Sequence, residues 1–140
     1  MRGSDFRAIM PVMTHVLFAA ALLASFQTAA PAAQATPAPF DPASVQLSLE
    51  NQALLRCSAA FALVSYGQAN GNEAALSWPL LDPRGQEFFV RSLAKLMDDT
   101  GLTRDQVSAL ASREAQRLLD EDQVDAVMPA CLGMLENSGV

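Results

Sequence analysis

Two cysteines, Cys57 and Cys131, are the residues of this sequence best suited to covalent chemistry, and one histidine, His15, is the only imidazole. Two Cys and one His cannot supply the four N and S ligands of a structural zinc site. No C-x-x-C motif is present, and neither Cys opens a helical pattern where a dipole would lower its pKa. Redox catalysis is therefore disfavoured against a structural bridge, with an intermolecular or free thiol as the other alternative. Asp120, Glu121, Asp122 and Asp125 place four acids in six positions. They lack the alternating acids and turn glycine of a calcium loop, because Val124 and Asp125 stand where a ligand and that glycine belong. Acids favoured by a helix N-terminus explain them more simply.

Three further groups are candidates for binding. Arg56 is the only charge between Glu50 and Glu73. It could hold a ligand carboxylate or a partner, or it could pair with an acid of another helix, for which the acids at 120–125 are a source. Arg84, Arg91 and Lys95 share a helical face with Phe88 and form a candidate patch for an acidic partner. The pairs Glu87–Arg91 and Lys95–Asp99 also suit ordinary i,i+4 salt bridges. Trp78, with Pro79, Phe88 and Phe89, could line a cleft or simply close over a small core.

These residues lie behind an N-terminal segment of a different kind. Arg2 and Arg7 precede a charge-free stretch from Met10 to Phe26, and small residues follow. Ala33-Gln34-Ala35 fits an A-x-A cleavage site, with Ala30-Pro31-Ala32 as a second candidate. The expectation is a secretory signal peptide over residues 1–35, an Ala/Pro-rich leader over 36–47 and a helical domain over 48–140. The 17-residue apolar stretch stands at the lower edge of what spans a bilayer, so contact with a membrane is expected only through this segment if it stays uncleaved.

Cleavage changes the chemistry available. Beyond residue 35 there are seven basic and fourteen acidic residues, a formal charge of −7, and no histidine. Ser-His-Asp triads, Cys-His pairs and H-E-x-x-H sites are excluded for that chain. Nucleic acid is not an expected partner, because phosphate contacts need clustered Lys and Arg. No cofactor or metal is expected.

The elements that must position these residues read as an all-α bundle of about four helices. Leu49 to Gln68 is apolar almost all round, as in a central helix, and Asn70-Gly71 ends it. Val45, Leu47 and Leu49 alternate with polar residues and read as a lead-in, with Asp41-Pro42 as cap and first helical position. Asp82-Pro83 repeats that signature before a second helix to about Asp99, whose stripe is Phe89, Leu93, Leu96 and Met97, with Phe88 beside it. Gly101 closes it. Thr103 and Gln106 form a capping box, with Leu102 and Val107 as a hydrophobic staple, for a third helix. Val124, Val127, Met128, Cys131, Leu132 and Leu135 mark a fourth, interrupted by Pro129.

In an exported domain an even Cys count reads as a disulfide, and Cys57–Cys131 is the one intramolecular pairing, tying the first long helix to the last. The blocks RCSAAFAL (56–63), EFF (87–89) and VMPACL (127–132) resemble a group of small exported proteobacterial proteins. More loosely, Cys57 with Phe61 and Pro129 with Cys131 are similar to the acid-stress periplasmic chaperones, which are helical and close one disulfide between an early and a late helix. That resemblance, carried by the two cysteine neighbourhoods, implies binding of client proteins. The resulting expectation is a non-enzymatic periplasmic or secreted interaction module of chaperone, inhibitor, immunity or envelope-accessory type. The alternative is a helical carrier of a small apolar molecule or lipid. An enzyme would need carboxylates such as Asp98, Asp99 or Asp125 to converge in a cleft.

Overall fold

A computed structural model describes residues 38–140; the signal segment, its cleavage sites and His15 lie outside the described residues. Among these residues the chain forms five α-helices and no strand: α1 (Leu49–Ala69), α2 (Glu73–Leu76), α3 (Arg84–Thr100), α4 (Arg104–Asp120) and α5 (Val124–Asn137). Four correspond to the helices expected from periodicity. The fifth, α2, is a single turn within the loop that carries Trp78, too short to leave a periodic signal.

The segment before α1 is ordered by packing. Phe40, Val45 and Leu47 lie against a cluster formed by Leu55, Leu96, Val107, Leu110 and Ala111. Asp41 does cap, but only a 3-10 turn over Pro42–Ser44, where its carboxylate accepts the Ala43 N–H at 2.8 Å. The cap of α1 itself is Ser48, whose hydroxyl accepts the Asn51 N–H at 3.1 Å.

Helix α1 is the axis of the bundle and packs against each of the other four. Its uniform apolarity has this cause, since neighbours cover it on several sides. At its end Asn70 is not left-handed (φ −103°); Gly71 takes that conformation alone (φ 72°). The chain then folds back sharply. Asn72 caps α2 by accepting the Ala75 N–H at 3.0 Å, and α2 lies so close that a Cβ at Gly67 would stand 2.6 Å from the Ala75 Cβ. Helix propensity favours Ala over Gly by about 1 kcal/mol, while overpacking costs about 1–3 kcal/mol. Gly67→Ala is therefore expected to lower the thermal midpoint; a rise would show that α2 moves aside at no cost.

Asp82 does not cap α3, contrary to the sequence expectation. Pro83 occupies the N-cap position with αR backbone angles and no side-chain cap, so the residue ahead of it is too early to reach the first free N–H groups. The Asp82–Pro83 peptide bond is cis. The buried face of α3 is also rotated from the expected stripe. It comprises Gly85, Phe88, Ser92 and Leu96, and Phe89 is only half-buried. The small residues explain the choice, because the missing Cβ of Gly85 would meet Leu81 at 3.0 Å and Phe61 at 3.7 Å. Gly101 (φ 69°) ends α3 and donates to Met97, as expected.

The capping box of α4 is complete: the Gln106 N–H donates to the Thr103 hydroxyl at 3.3 Å, and the Thr103 N–H to the Gln106 side chain at 2.9 Å. Leu102 and Val107 belong to one cluster, as the staple requires. Helix α5 buries Met128, Cys131 and Leu135 and continues through Pro129 to Asn137.

The second and larger cluster joins Phe61, Val64, Leu81, Phe88, Leu118 and Met128 with both cysteines. Cys57 and Cys131 form a disulfide, with Cα atoms 5.2 Å apart, across 74 positions of sequence. No helix among the described residues is long and apolar enough to cross a membrane. A disulfide-bonded helical domain of this kind is compatible with an exported location.

Candidate functional site

One recess lies between α1 and α3, with a volume of about 580 Å³. Phe61 forms its floor, and Ala62, Ala69 and Phe89 contribute apolar walls. Tyr66 and Leu80 stand at its mouth, 72% and 80% exposed. Ser65, Gln68, Asp82 and Gln86 supply a polar edge. An apolar centre with a polar rim is the usual anatomy of a binding surface.

This is not the cleft expected from Trp78 and Phe88. Phe88 is buried and meets Phe61 edge-on, with ring centroids 5.2 Å apart. Trp78 is partly buried against the larger cluster, and its indole Nε1 donates to Asp125 at 2.9 Å. Both therefore act as core, and Phe89, the neighbour of Phe88, faces the recess. Asp125→Ala is expected to red-shift the emission of this single Trp and to cost about 1 kcal/mol. An unchanged spectrum would show that the indole is held by packing alone.

Gln68, which the sequence reading did not single out, shapes the recess. Its amide Nε2 shares its two hydrogens among the carbonyls of Ala75, Trp78 and Pro79 at 2.9–3.2 Å, and its Oε1 accepts the Leu81 N–H at 3.2 Å. One side chain thus takes the place of a ladder for the loop that carries Leu80. The only sequence signal was a long amide near the end of an apolar helix, with nothing to say which carbonyls it meets. Gln68→Ala should cost about 1–2 kcal/mol and speed amide exchange at Leu81. Full retention of that protection would contradict this role.

The expected basic patch on α3 is not a free cationic surface. Arg84 donates to Glu136 and to the Val140 carbonyl, Arg91 pairs with Glu87, and Lys95 pairs with Asp99 and Glu50. The Lys95 ammonium, hydrogen-bonded to Asp99, holds that carboxyl below the usual carboxylate range. Phe88, on the same side of the helix, points into the core.

Arg56 pairs with an acid from another helix, but from α4 rather than from the 120–125 run. Its Nε lies 3.2 Å from Glu114 Oε1. Glu114 also accepts from Arg117, which reaches on to Glu121. The acids at 120–125 are dispersed: Asp120 accepts from Gln116, Asp122 turns the chain with φ 50°, and only Asp125 stands in the first turn of α5. The dipole explanation thus applies to Asp125 alone. Among the described residues no group of three or more His, Cys, Asp or Glu side chains is arranged to hold a metal ion.

A second recess, about 550 Å³, lies between the 42–47 segment, α1 and α4, and contains Arg56, Arg113, Glu114 and Arg117. No protein-family model, curated protein or solved structure matches the chain.

Proposed function

We propose that this chain is a non-enzymatic interaction module of the periplasm or the secreted space, and that it docks a protein partner in the recess between α1 and α3. The observation that carries this reading is the pair Tyr66 and Leu80, large apolar side chains exposed at the mouth of a mostly apolar recess. Such a channel between two helices suits the apolar face of a partner helix or a protruding side chain. The polar rim, with Gln68 and Gln86, offers hydrogen bonds that fix register. Lack of histidine beyond residue 35 and the disulfide-closed scaffold fit an exported binding role.

The test is native affinity capture from periplasmic extract with three baits: the wild type, Leu80→Glu and Leu119→Glu. Leu119 is also exposed but lies on α4, outside this recess. A partner recovered with the wild type and Leu119→Glu but lost with Leu80→Glu supports the proposal. Equal recovery by all three removes the recess from the interaction.

A second reading, a carrier of a small apolar molecule, draws on the volume of the same recess, which exceeds the roughly 300 Å³ at which ligand pockets begin. Native mass spectrometry of freshly isolated protein separates the two. A bound apolar mass that Leu80→Glu releases supports the carrier.

A further inference from the structure

The described residues carry twice as many acids as bases, yet three of their seven basic side chains line one groove. Arg56 comes from α1, and Arg113 and Arg117 come from one face of α4. The only carboxylate among the lining residues is Glu114, 14% exposed. It accepts from Arg56 Nε and from two nitrogens of Arg117, and Arg117 Nη1 is taken by Glu121. That leaves the whole fork of Arg113 and both terminal nitrogens of Arg56 without an acceptor among the described residues. The groove therefore holds a local positive excess in a chain that is negative elsewhere.

The rest of the lining mixes apolar side chains with Gln46 and Gln52. Val45 and Leu47 approach from the segment before α1, Leu49 and Leu110 from the two helices. Leu49 is 84% exposed at the first position of α1. A ligand that uses both the free guanidinium donors and the exposed Leu49 has a planar anionic head with an apolar chain behind it. Guanidinium matches carboxylate geometry with paired N–H donors. The overall negative charge of the chain opposes polyanions at long range, so a ligand with a single anionic head is favoured over nucleic acid.

We propose that the groove between the 42–47 segment, α1 and α4 binds the terminal carboxylate of an apolar chain, with Arg113 and Arg56 on the carboxylate and Val45, Leu47 and Leu49 along the chain. This site is separate from the recess between α1 and α3. The chemistry has two sources, a free fatty acid and the C-terminus of an apolar peptide.

Calorimetric titration at low ionic strength tests the proposal with decanoate, methyl decanoate, and a short apolar peptide with a free or an amidated C-terminus. Decanoate or the free-acid peptide should bind, while the uncharged counterpart binds at least about tenfold more weakly, the scale of a charged hydrogen bond. Binding of decanoate alone assigns the fatty acid, and binding of the free-acid peptide alone assigns a protein C-terminus. Arg113→Gln, at an exposed position with no pairing to lose, should weaken binding by about tenfold or more. Glu114→Gln should tighten it by removing the competing carboxylate. Arg104→Gln, on α4 but outside the groove, should leave it unchanged.

No measurable binding of either acid overturns the proposal. So does equal binding of the ester or amide, or an equal loss in Arg104→Gln, which would reveal bulk charge alone. Binding abolished by Leu80→Glu and untouched by Arg113→Gln would move the ligand to the recess between α1 and α3, overturning this site while supporting the carrier reading of the other.

Discussion

Replacing both cysteines, Cys57→Ala with Cys131→Ala, should lower the free energy of unfolding by about 2–5 kcal/mol. The bridge closes a loop of 74 positions. The chain-entropy treatment assigns a loop of that length about 4–5 kcal/mol, mostly by restricting the unfolded chain. A domain of this size has roughly 5–15 kcal/mol in total, so the loss is a large fraction of it. The native contacts change little, because the cysteines sit within an apolar cluster that Ala can partly fill. The helices should therefore form at low temperature, while the urea midpoint falls well below that of the oxidised wild type. Wild-type protein unfolded in the presence of reductant should approach the double variant. Coincident midpoints for oxidised wild type and double variant would mean that the denatured chain gains no freedom from losing the bridge. Both sulfurs are buried, so reductant should reach them only through opening of the fold.

Phe61→Ala should be the most damaging single substitution in the core, at about 3–5 kcal/mol. Phe61 is 0% exposed and lies on the central helix. Its ring meets Phe88 edge-on, a geometry that adds about 0.5–1.5 kcal/mol to area burial. Truncation removes the seam between α1 and α3 and the floor of the recess together. Phe61→Leu keeps most of the volume and should cost clearly less, and Val90→Ala, at an exposed position on α3, should stay within about 0.5 kcal/mol. Urea unfolding followed by circular dichroism orders the three. A Phe61→Ala loss under about 1 kcal/mol would mean that neighbouring side chains collapse into the space. Binding that depends on the recess should weaken in the same variant at temperatures where it remains folded, since Phe61 is part of the recess lining.

The parts of the fold legible in sequence are those decided locally. Thr103 and Gln106 are three positions apart and carry their own hydrogen-bond partners, so the start of α4 was readable to the residue. The stripe from Val124 to Leu135 fixed the buried face of α5 in the same way. Asp82-Pro83 shows the limit of such signals. Its pattern matched a cap, but the helix began one residue too late for the carboxylate to reach. The stripe expected for α3 held at Leu96, with Leu93 and Met97 packed beside it, and shifted only toward the helix start, where Gly85 and Ser92 allow close approach and Phe88 rather than Phe89 is buried.

The functional candidates divide along the same line. Composition alone determined the absence of imidazole beyond residue 35, the acidic balance and the single available intramolecular cysteine pairing. Those are counts, and folding does not alter them. Which acid meets Arg56 depended on α1 and α4 lying side by side across 58 positions. Which acid meets Trp78 depended on a loop reaching α5 across 47. The burial of Phe88 and the outward placing of Phe89 turned on one step of helix rotation. The two grooves are each lined by residues far apart in sequence, which only the packing brings together. A linear pattern specifies which face of a helix is apolar, but long-range packing chooses its neighbours, and those neighbours decide which charges are matched and which remain free to bind.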